Sequence, residues 1–384
     1  MVACFQLIEG GSLSHRLRDD SEPLLQDVSM PGDCDAGMEL PRTEKVKKWK
    51  THVGKNMFFC GGRILISRKY NVFLFSLFIL STTLTVFFVF EGPFLWGISP
   101  AIPIVAAVLT TFVLVNFFVT SLSDPGIMPR ATIIEQIAYE NQAKMELDPS
   151  SLENIRIQHR VKDVMINGQR IQTKYCHSCR MYRPPRTTHC SICDNCVNVF
   201  DHHCPWVGNC VGIRNYRYFY FFVISLALLV VYVFACSCTH LVYTVTNGKM
   251  VLSDAIKATP ISVVLMTISF CVFWSVVGLG GFHSYLVFSN LTTNEDVKGT
   301  YHQRQRTRQD VAVVEESHDT RNVRVQNPFS KTPWINLKQK LFTSQQPSLL
   351  DGSGLTSQEP YVIVPKRFKF HDASLVDSSL FTRH

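Results

Sequence analysis

The chain has 384 residues, of which 46% are apolar and 18% charged, with a formal net charge of +8. The apolar residues fall in four blocks, which excludes a purely soluble globule and indicates an integral membrane protein with soluble parts. The mildly basic balance, with no basic helix beside the cysteines, argues against a nucleic-acid partner and fits cytosolic loops.

Residues 1–70 form an N-terminal region. Its first 43 residues, rich in Asp, Gly, Ser and Pro, show no period and read as disordered. Met1 to Pro41 holds no apolar core of a cleavable signal. Asp20-Ser21-Glu22-Pro23-Leu24-Leu25 has the form of an acidic dileucine signal, a pattern that plain linker also produces. A basic run from Lys45 to Lys69 precedes Val72 to Phe90, which as a charge-free helix covers about 30 Å, one hydrocarbon core. Ala101 to Leu122 is the second span, and Asp124-Pro125-Gly126 turns the chain after it. Helices 1 and 2 thus occupy residues 71–122.

Residues 123–216 are a long loop rich in Lys and Arg. Up to about Thr173 it has no strong period; from about 174 to 216 it concentrates Cys and His. Phe219 to Thr239 is the third span and Ser262 to Phe288 the fourth, within residues 217–290, with a short link at 244–259. Gly278, Gly280 and Gly281 would let helices approach closely. Residues 291–384 form a polar tail. In it Thr332-Pro333-Trp334 reads as an N-cap with proline at N1. Trp334, Leu337 and Leu341 would share one face of the helix that follows, facing the cysteine segment or the membrane. Lys366 to His371 reads as a solvated basic aromatic patch or a contact for anionic lipid. Lys and Arg crowd the N-terminal region, the 123–216 loop and the tail, so both termini and the cysteine segment are expected in the cytosol. The sequon Asn290-Leu291-Thr292 would then be unmodified.

Seven of the thirteen cysteines lie between Cys176 and Cys210. The potential ligands there are Cys176, Cys179, His189, Cys190, Cys193, Cys196, His202, His203, Cys204 and Cys210. Three C-x2-C spacings with interleaved histidines fit zinc in a reducing compartment better than disulfides or an iron–sulfur cluster. The count supplies two tetrahedral sites with a Cys and a His left over. Asp201, His202 and Cys204 supply a carboxylate, an imidazole and a thiol within four residues, the makings of an activated nucleophile. The alternative on local grounds is that Cys204 is one more ligand and Asp201 a surface charge.

The run Cys176-x2-Cys179-x3-Arg183-Pro184-x-Arg186-x2-His189-Cys190-x2-Cys193-x2-Cys196, then Asp201-His202-His203-Cys204-Pro205-Trp206 through Asn209-Cys210 and Asn215-Tyr216, closely resembles the DHHC protein S-acyltransferases. Asp124-Pro125-Gly126 and Thr292-Thr293-x-Glu295 match family motifs, and the segment around Asn336 does so more loosely. The likeness covers roughly residues 60–345. Ser191 to Cys196 and Asn294-Glu295-Asp296 look most like the Golgi and endoplasmic reticulum Ras-type branch.

The resemblance implies an α-helical membrane protein of four transmembrane helices with a cytosolic two-zinc domain between helices 2 and 3. It implies Cys176, Cys179, His189 and Cys196 on one zinc and Cys190, Cys193, His203 and Cys210 on the other. Cys204 is then the nucleophile, His202 the base and Asp201 its orienting partner, with Thr293 meeting Asp201 and Asn336 anchoring the tail. The implied activity is protein S-palmitoylation from acyl-CoA onto cysteines of membrane-associated proteins, in Golgi or endoplasmic reticulum, with the plasma membrane as an alternative. That branch often works with a small palmitoylated accessory subunit, a candidate partner here. Arg183 and Arg186 are candidate CoA phosphate contacts, and Trp206 a candidate contact for the acyl chain. Cys4, Cys34, Cys60, Cys236, Cys238 and Cys271 receive no role. A membrane-anchored zinc module resembling a ubiquitin ligase would give Cys204 no job. A channel is poorly supported, since His240 and His283 lie near the ends of spans that carry almost no other ionisable group.

Overall fold

The computed structural model describes residues 45–145, 161–301 and 327–357. The Asp20 to Leu25 segment, Cys4, Cys34 and the Lys366 to His371 patch lie outside the described residues. Before the first span, strands β1 (Lys45–Lys47), β2 (Asn56–Phe59) and β3 (Ile64–Ser67) form small pairings, β2 with β3 as a hairpin. The first span, α1, runs Asn71–Ile98. It continues past Phe90 through a π turn over Phe87–Glu91 into Gly92–Ile98, and Pro93, which has no N–H to donate, follows directly on that π turn. The second, α2, is Ala101–Leu122.

An amphipathic helix, α3 (Ile133–Met145), leads toward the cysteine segment. Strands β4 (Val161–Ile166) and β5 (Gln169–Cys176) then pair as a hairpin. Its turn is Asn167-Gly168, both at positive φ, the conformation that suits Asn-Gly between two strands. Five short strands follow: β6 (Met181–Tyr182), β7 (Thr188–Cys190), β8 (Asn195–Val197), β9 (His202–Cys204) and β10 (Asn209–Val211). The third span, α4, is Tyr216–Asn247, longer at both ends than Phe219 to Thr239. A short helix, α5 (Leu252–Ala258), occupies the link, and the fourth span, α6, is Pro260–Phe288. After it come α7 (Thr293–Val297), α8 (Pro333–Leu337) with a π turn over Lys338–Phe342, and β11 (Leu355–Ser357), which pairs with β1.

All four spans are long and apolar enough to cross a bilayer. Residues such as Phe78, Val108 and Trp274 are exposed on their outer faces, as lipid contact requires. The interior holds two stacked clusters. One, nearest the cysteine segment, gathers Phe73, Phe117, Phe219, Val223 and Val287 around Cys204. The other gathers Leu84, Phe87, Val113, Leu229 and Leu265 in the far half. Beyond that, Glu91 is fully buried and bonded to His240 Nδ1 (2.9 Å) and Ser262 Oγ (2.6 Å), tying three spans with a satisfied polar group.

The cysteine segment is fastened to the bundle by backbone capping. The last carbonyls of α2 lack intrahelical partners. Asn209 Nδ2 donates to the Ser123 and Ser121 carbonyls (2.8 and 3.1 Å), and Asn215 Nδ2 to that of Thr120 (3.0 Å). Asp124 Oδ1 accepts the Gly126 and Ile127 amides, both at 2.9 Å. Gly126 sits at φ +107°, and a Cβ there would come within 2.8 Å of the Ile213 side chain, so only glycine fits. The tail helix differs from expectation. Leu337 and Leu341 pack into the bundle cluster that holds Cys204, whereas Trp334 is exposed, edge-on to Phe288. Asn336, fully buried in the same first turns, faces the bundle with Leu337, and this leaves Trp334, two residues earlier, turned outward, so the three do not share a face. Thr332 precedes the helix in extended conformation, but its side chain makes no capping bond.

Candidate active site and metal centres

Successive side chains of a strand point to opposite faces. In β7, His189 and Cys190 therefore diverge, and in β9, His203 faces away from both His202 and Cys204. The hairpin registers then set His189 opposite Cys196 and His203 opposite Cys210. Two clusters result: Cys176, Cys179, His189 and Cys196, and Cys190, Cys193, His203 and Cys210, each with its donor atoms within 4.8 Å of one another. These are the two interleaved sets that the resemblance implies, and Cys204 belongs to neither.

The donor sets fit zinc. Tetrahedral coordination at ordinary zinc–sulfur and zinc–nitrogen lengths requires sulfur–nitrogen separations of about 3.6 Å and sulfur–sulfur separations of about 3.8 Å. His189 Nδ1 lies 3.5 Å from Cys176 and Cys179 and 3.8 Å from Cys196. His203 Nδ1 lies 3.5 Å from Cys193 and Cys210, whose sulfurs are 3.6 Å apart. Contact with Cys190 and burial push the Cys193 thiol up to about 12, so such crowded sulfurs ionise together only around a shared cation. Asp194 orients the first set: its Oδ1 is 3.4 Å from His189 Nε2, the outer-shell carboxylate that zinc-binding histidines commonly have. Arg130 bridges the two C-x2-C loops, donating to the Ser178 and Asp194 carbonyls, both at 2.9 Å.

On the other face of β9 stands the reactive row. Asp201 is 1% exposed and its Oδ2 lies 2.7 Å from His202 Nδ1. Thr293 donates its amide to Asp201 Oδ1 (2.9 Å) and its hydroxyl to Oδ2 (2.7 Å). Burial opposes ionisation of Asp201, but the His202 hydrogen bond and charge, with His283 and Thr293, bring its pKa down to about 2. Burial likewise opposes the His202 imidazolium, and its bonds to Asp201 and Cys204 override that and raise it to about 10. With Nδ1 committed to Asp201, Nε2 is left for the buried Cys204 thiol. The arrangement lines up a thiol, an imidazole and a carboxylate, the groups that an activated nucleophile requires.

The remaining motif residues act as joints. Thr292 and Glu295 form a reciprocal capping box at α7. Asn336 is fully buried, donating to the Phe288 carbonyl and accepting the Lys331 amide, both at 2.8 Å. Asp124 also pairs with Arg214 (3.3 Å) and accepts from Ser348 (2.6 Å). Pro125 offers its carbonyl to the Arg214 amide at 3.2 Å. Asn290 of the sequon is buried, its amide donating to the Phe329 carbonyl.

Arg186 departs from its expected role as a phosphate contact. Its fork is filled by Glu295 (2.7 and 2.8 Å) and by the Asn290 side chain and carbonyl, so it joins the cysteine segment to the end of α6. Arg183 retains a buried Nε with no hydrogen-bond partner. Trp206 is largely exposed beside Cys204, with its carbonyl accepting from Ser76 of α1 at 2.6 Å. Cys60 and Cys271 are exposed and Cys236 buried, all away from both centres. Sequence reasoning missed the parts played by Arg130 and Asp194. Only the Asn-Gly turn of the β4–β5 hairpin carried a local signal.

A family model described as DHHC palmitoyltransferase matches residues 169–300. Palmitoyltransferase ZDHHC18 of Mus musculus is 48% identical over 66% of this chain and 66% of that protein. Palmitoyltransferase ZDHHC9 of Danio rerio is 43% identical over 83% of this chain and 78% of that protein. Palmitoyltransferase ZDHHC14 of Homo sapiens is 46% identical over 69% of this chain and 54% of that protein. The matched stretch spans just under two thirds of the mammalian ZDHHC18 proteins, 64% of the human one. A four-helix membrane bundle carrying a double Cys3His domain and an Asp-His-Cys row defines a class, and the chain belongs to it: it is a member of the DHHC palmitoyltransferase family.

Proposed function

We propose that the chain is a protein-cysteine S-palmitoyltransferase that works through a Cys204 acyl-enzyme. The observation that carries this reading is the division of labour on β9: His203 faces a metal set while His202, bonded to Asp201 at 2.7 Å, faces Cys204. Cys204 Sγ attacks the thioester carbonyl of palmitoyl-CoA. Its proton already rests on His202 Nε2, as the raised His202 pKa favours, and passes to the departing CoA sulfur as the acyl–Sγ bond replaces the acyl–CoA bond. A cysteine of a membrane-associated protein next attacks the acyl-enzyme, and its proton returns to Cys204. Each step exchanges one thioester for another, so no ATP is needed. Zinc in the two Cys3His sets supplies folding energy and rigidity to β7–β10.

The acyl chain carries about 0.8 kcal/mol per buried CH2 and therefore stays in the bilayer. Cys204 sits in the cluster at one end of the bundle, where a thioester at the interface and a tail among the helices are both accommodated. Arg183, with its unpartnered Nε, is the favoured contact for a CoA phosphate, and Trp206 for the chain near the thioester. The basic loops support cytosolic termini and a cytosolic active site. Likeness to the Ras-type branch supports Golgi or endoplasmic reticulum membranes and a small accessory subunit.

The test is a CoA-release burst. Purified protein given palmitoyl-CoA without acceptor should release close to one CoA per chain, then turn over only when an acceptor cysteine is added. A steady linear release with no burst would contradict an acyl-enzyme.

A further inference from the structure

His283 is a buried histidine in α6 that the acyl-transfer steps do not use; it is 1% exposed. An apolar ring would fill the same volume without needing polar partners, so an imidazole there costs stability unless it has a task. Its Nδ1 lies 3.2 Å from the Tyr216 hydroxyl. That bond fixes the ring orientation and, with the phenol donating, leaves the His283 proton on Nε2. Tyr216 is itself clamped: the Lys340 ammonium lies 4.7 Å from its ring centroid and donates to the carbonyls of Leu286 (3.1 Å) and Leu291.

The other side of His283 meets the catalytic base. Its ring centroid is 5.9 Å from that of His202 and 4.9 Å from that of Phe219, and Phe219 lies edge-on to His202 at 5.2 Å. One donor atom each of Asp201, His202 and His283 fall within 4.8 Å of one another. His202 therefore has two ring walls on its buried side, Phe219 and His283, and a carboxylate at one nitrogen. Asp201 alone would hold Nδ1 as a hinge, about which the ring could swing away from Cys204. The two walls remove that freedom.

We propose that His283, locked by Tyr216, is a positioning residue for acyl transfer that holds the His202 ring in the plane joining Asp201 to Cys204. The inference rests on the acyl-transfer reading above. It is tested on the full chain in detergent with His283→Leu, His283→Asn and Tyr216→Phe, scoring zinc content, acyl-enzyme formation across palmitoyl-CoA concentrations, and iodoacetamide alkylation of the Cys204 peptide by mass spectrometry. His283→Leu should keep two zincs per chain and lower the maximal acylation rate by about tenfold or more, with KM within about twofold. Alkylation of Cys204 should slow in step. His283→Asn, whose amide can still meet Tyr216 but which lacks the ring wall, should recover only part of the rate, and Tyr216→Phe should lose about threefold.

Wild-type rates and alkylation in His283→Leu would overturn the proposal. So would a raised KM at unchanged maximal rate, which would make His283 a lining of the acyl site. If His283→Leu loses zinc and does not fold, wild-type behaviour of a zinc-replete Tyr216→Phe would also overturn it. Absence of label on the wild type would instead sink the acyl-transfer reading, and the alkylation arm would still report on His283.

Discussion

Asp201 is the residue on which the reactive row turns. Its two oxygens take three bonds, from His202, the Thr293 amide and the Thr293 hydroxyl. Asp201→Asn should keep two zincs yet lower acyl-enzyme formation by about a hundredfold or more, because an amide cannot hold the imidazole in the same tautomer and charge state. Thr293→Val removes only the hydroxyl bond and should cost about tenfold in single-turnover rate. The folded pKa of Asp201, about 2, lies below its ordinary 3.8. Its contribution to stability is therefore fully present above 3.8 and is lost only as pH falls through about 2. The zinc thiolates take up protons first. On acidification, activity should fall together with zinc release while the pH is still above 3.8, read by a chelating dye beside the acyl-label assay.

Among elements, the joint between the cysteine segment and α6–α7 is the most exacting. Arg186 and Glu295 have side chains only 8% and 7% exposed, so their ion pair is poorly screened. Removing one partner strands a buried charge, which costs about 3 kcal/mol or more. Arg186→Ala should thus lower the unfolding midpoint sharply in a thermal melt monitored in detergent, and the Arg186→Ala, Glu295→Ala double variant should lose clearly less than the sum of the two single variants. Equal additive losses would deny the coupling. The tail helix is held by the same region. Asn336 donates to the last carbonyl of α6, that of Phe288, and Leu341 packs in the cluster that holds Cys204. Docking the tail and shaping the active site are therefore one packing event.

At the scale of the whole molecule, what was legible in the sequence was what is local in the chain. The spans declare themselves by unbroken apolar length, the metal ligands by two-residue gaps, and the reactive row by adjacency of Asp201, His202 and Cys204. What was not legible depends on residues far apart. Arg186 read equally as a phosphate contact or a helix-end contact because its partner Glu295 lies 109 positions away, and Glu91 meets His240 149 positions away. No local period announces either pair. The Trp334 face was misjudged because buried Asn336, bonded to the Phe288 carbonyl 48 positions away, sets which side of the short helix faces inward. The β4–β5 hairpin is the exception, since Asn167-Gly168 between alternating residues was a usable local signal.

The central claim is that β9 sends His203 to a metal and Cys204 to chemistry. One measurement addresses both halves: labelled palmitoyl-CoA added to purified wild type and Cys204→Ala, with zinc counted in the same samples. Hydroxylamine-sensitive label on the wild type alone, mapped to Cys204, with two zincs per chain in both proteins, is the expected result. A Cys204→Ala protein that loses zinc, or that takes up label as the wild type does, would contradict it.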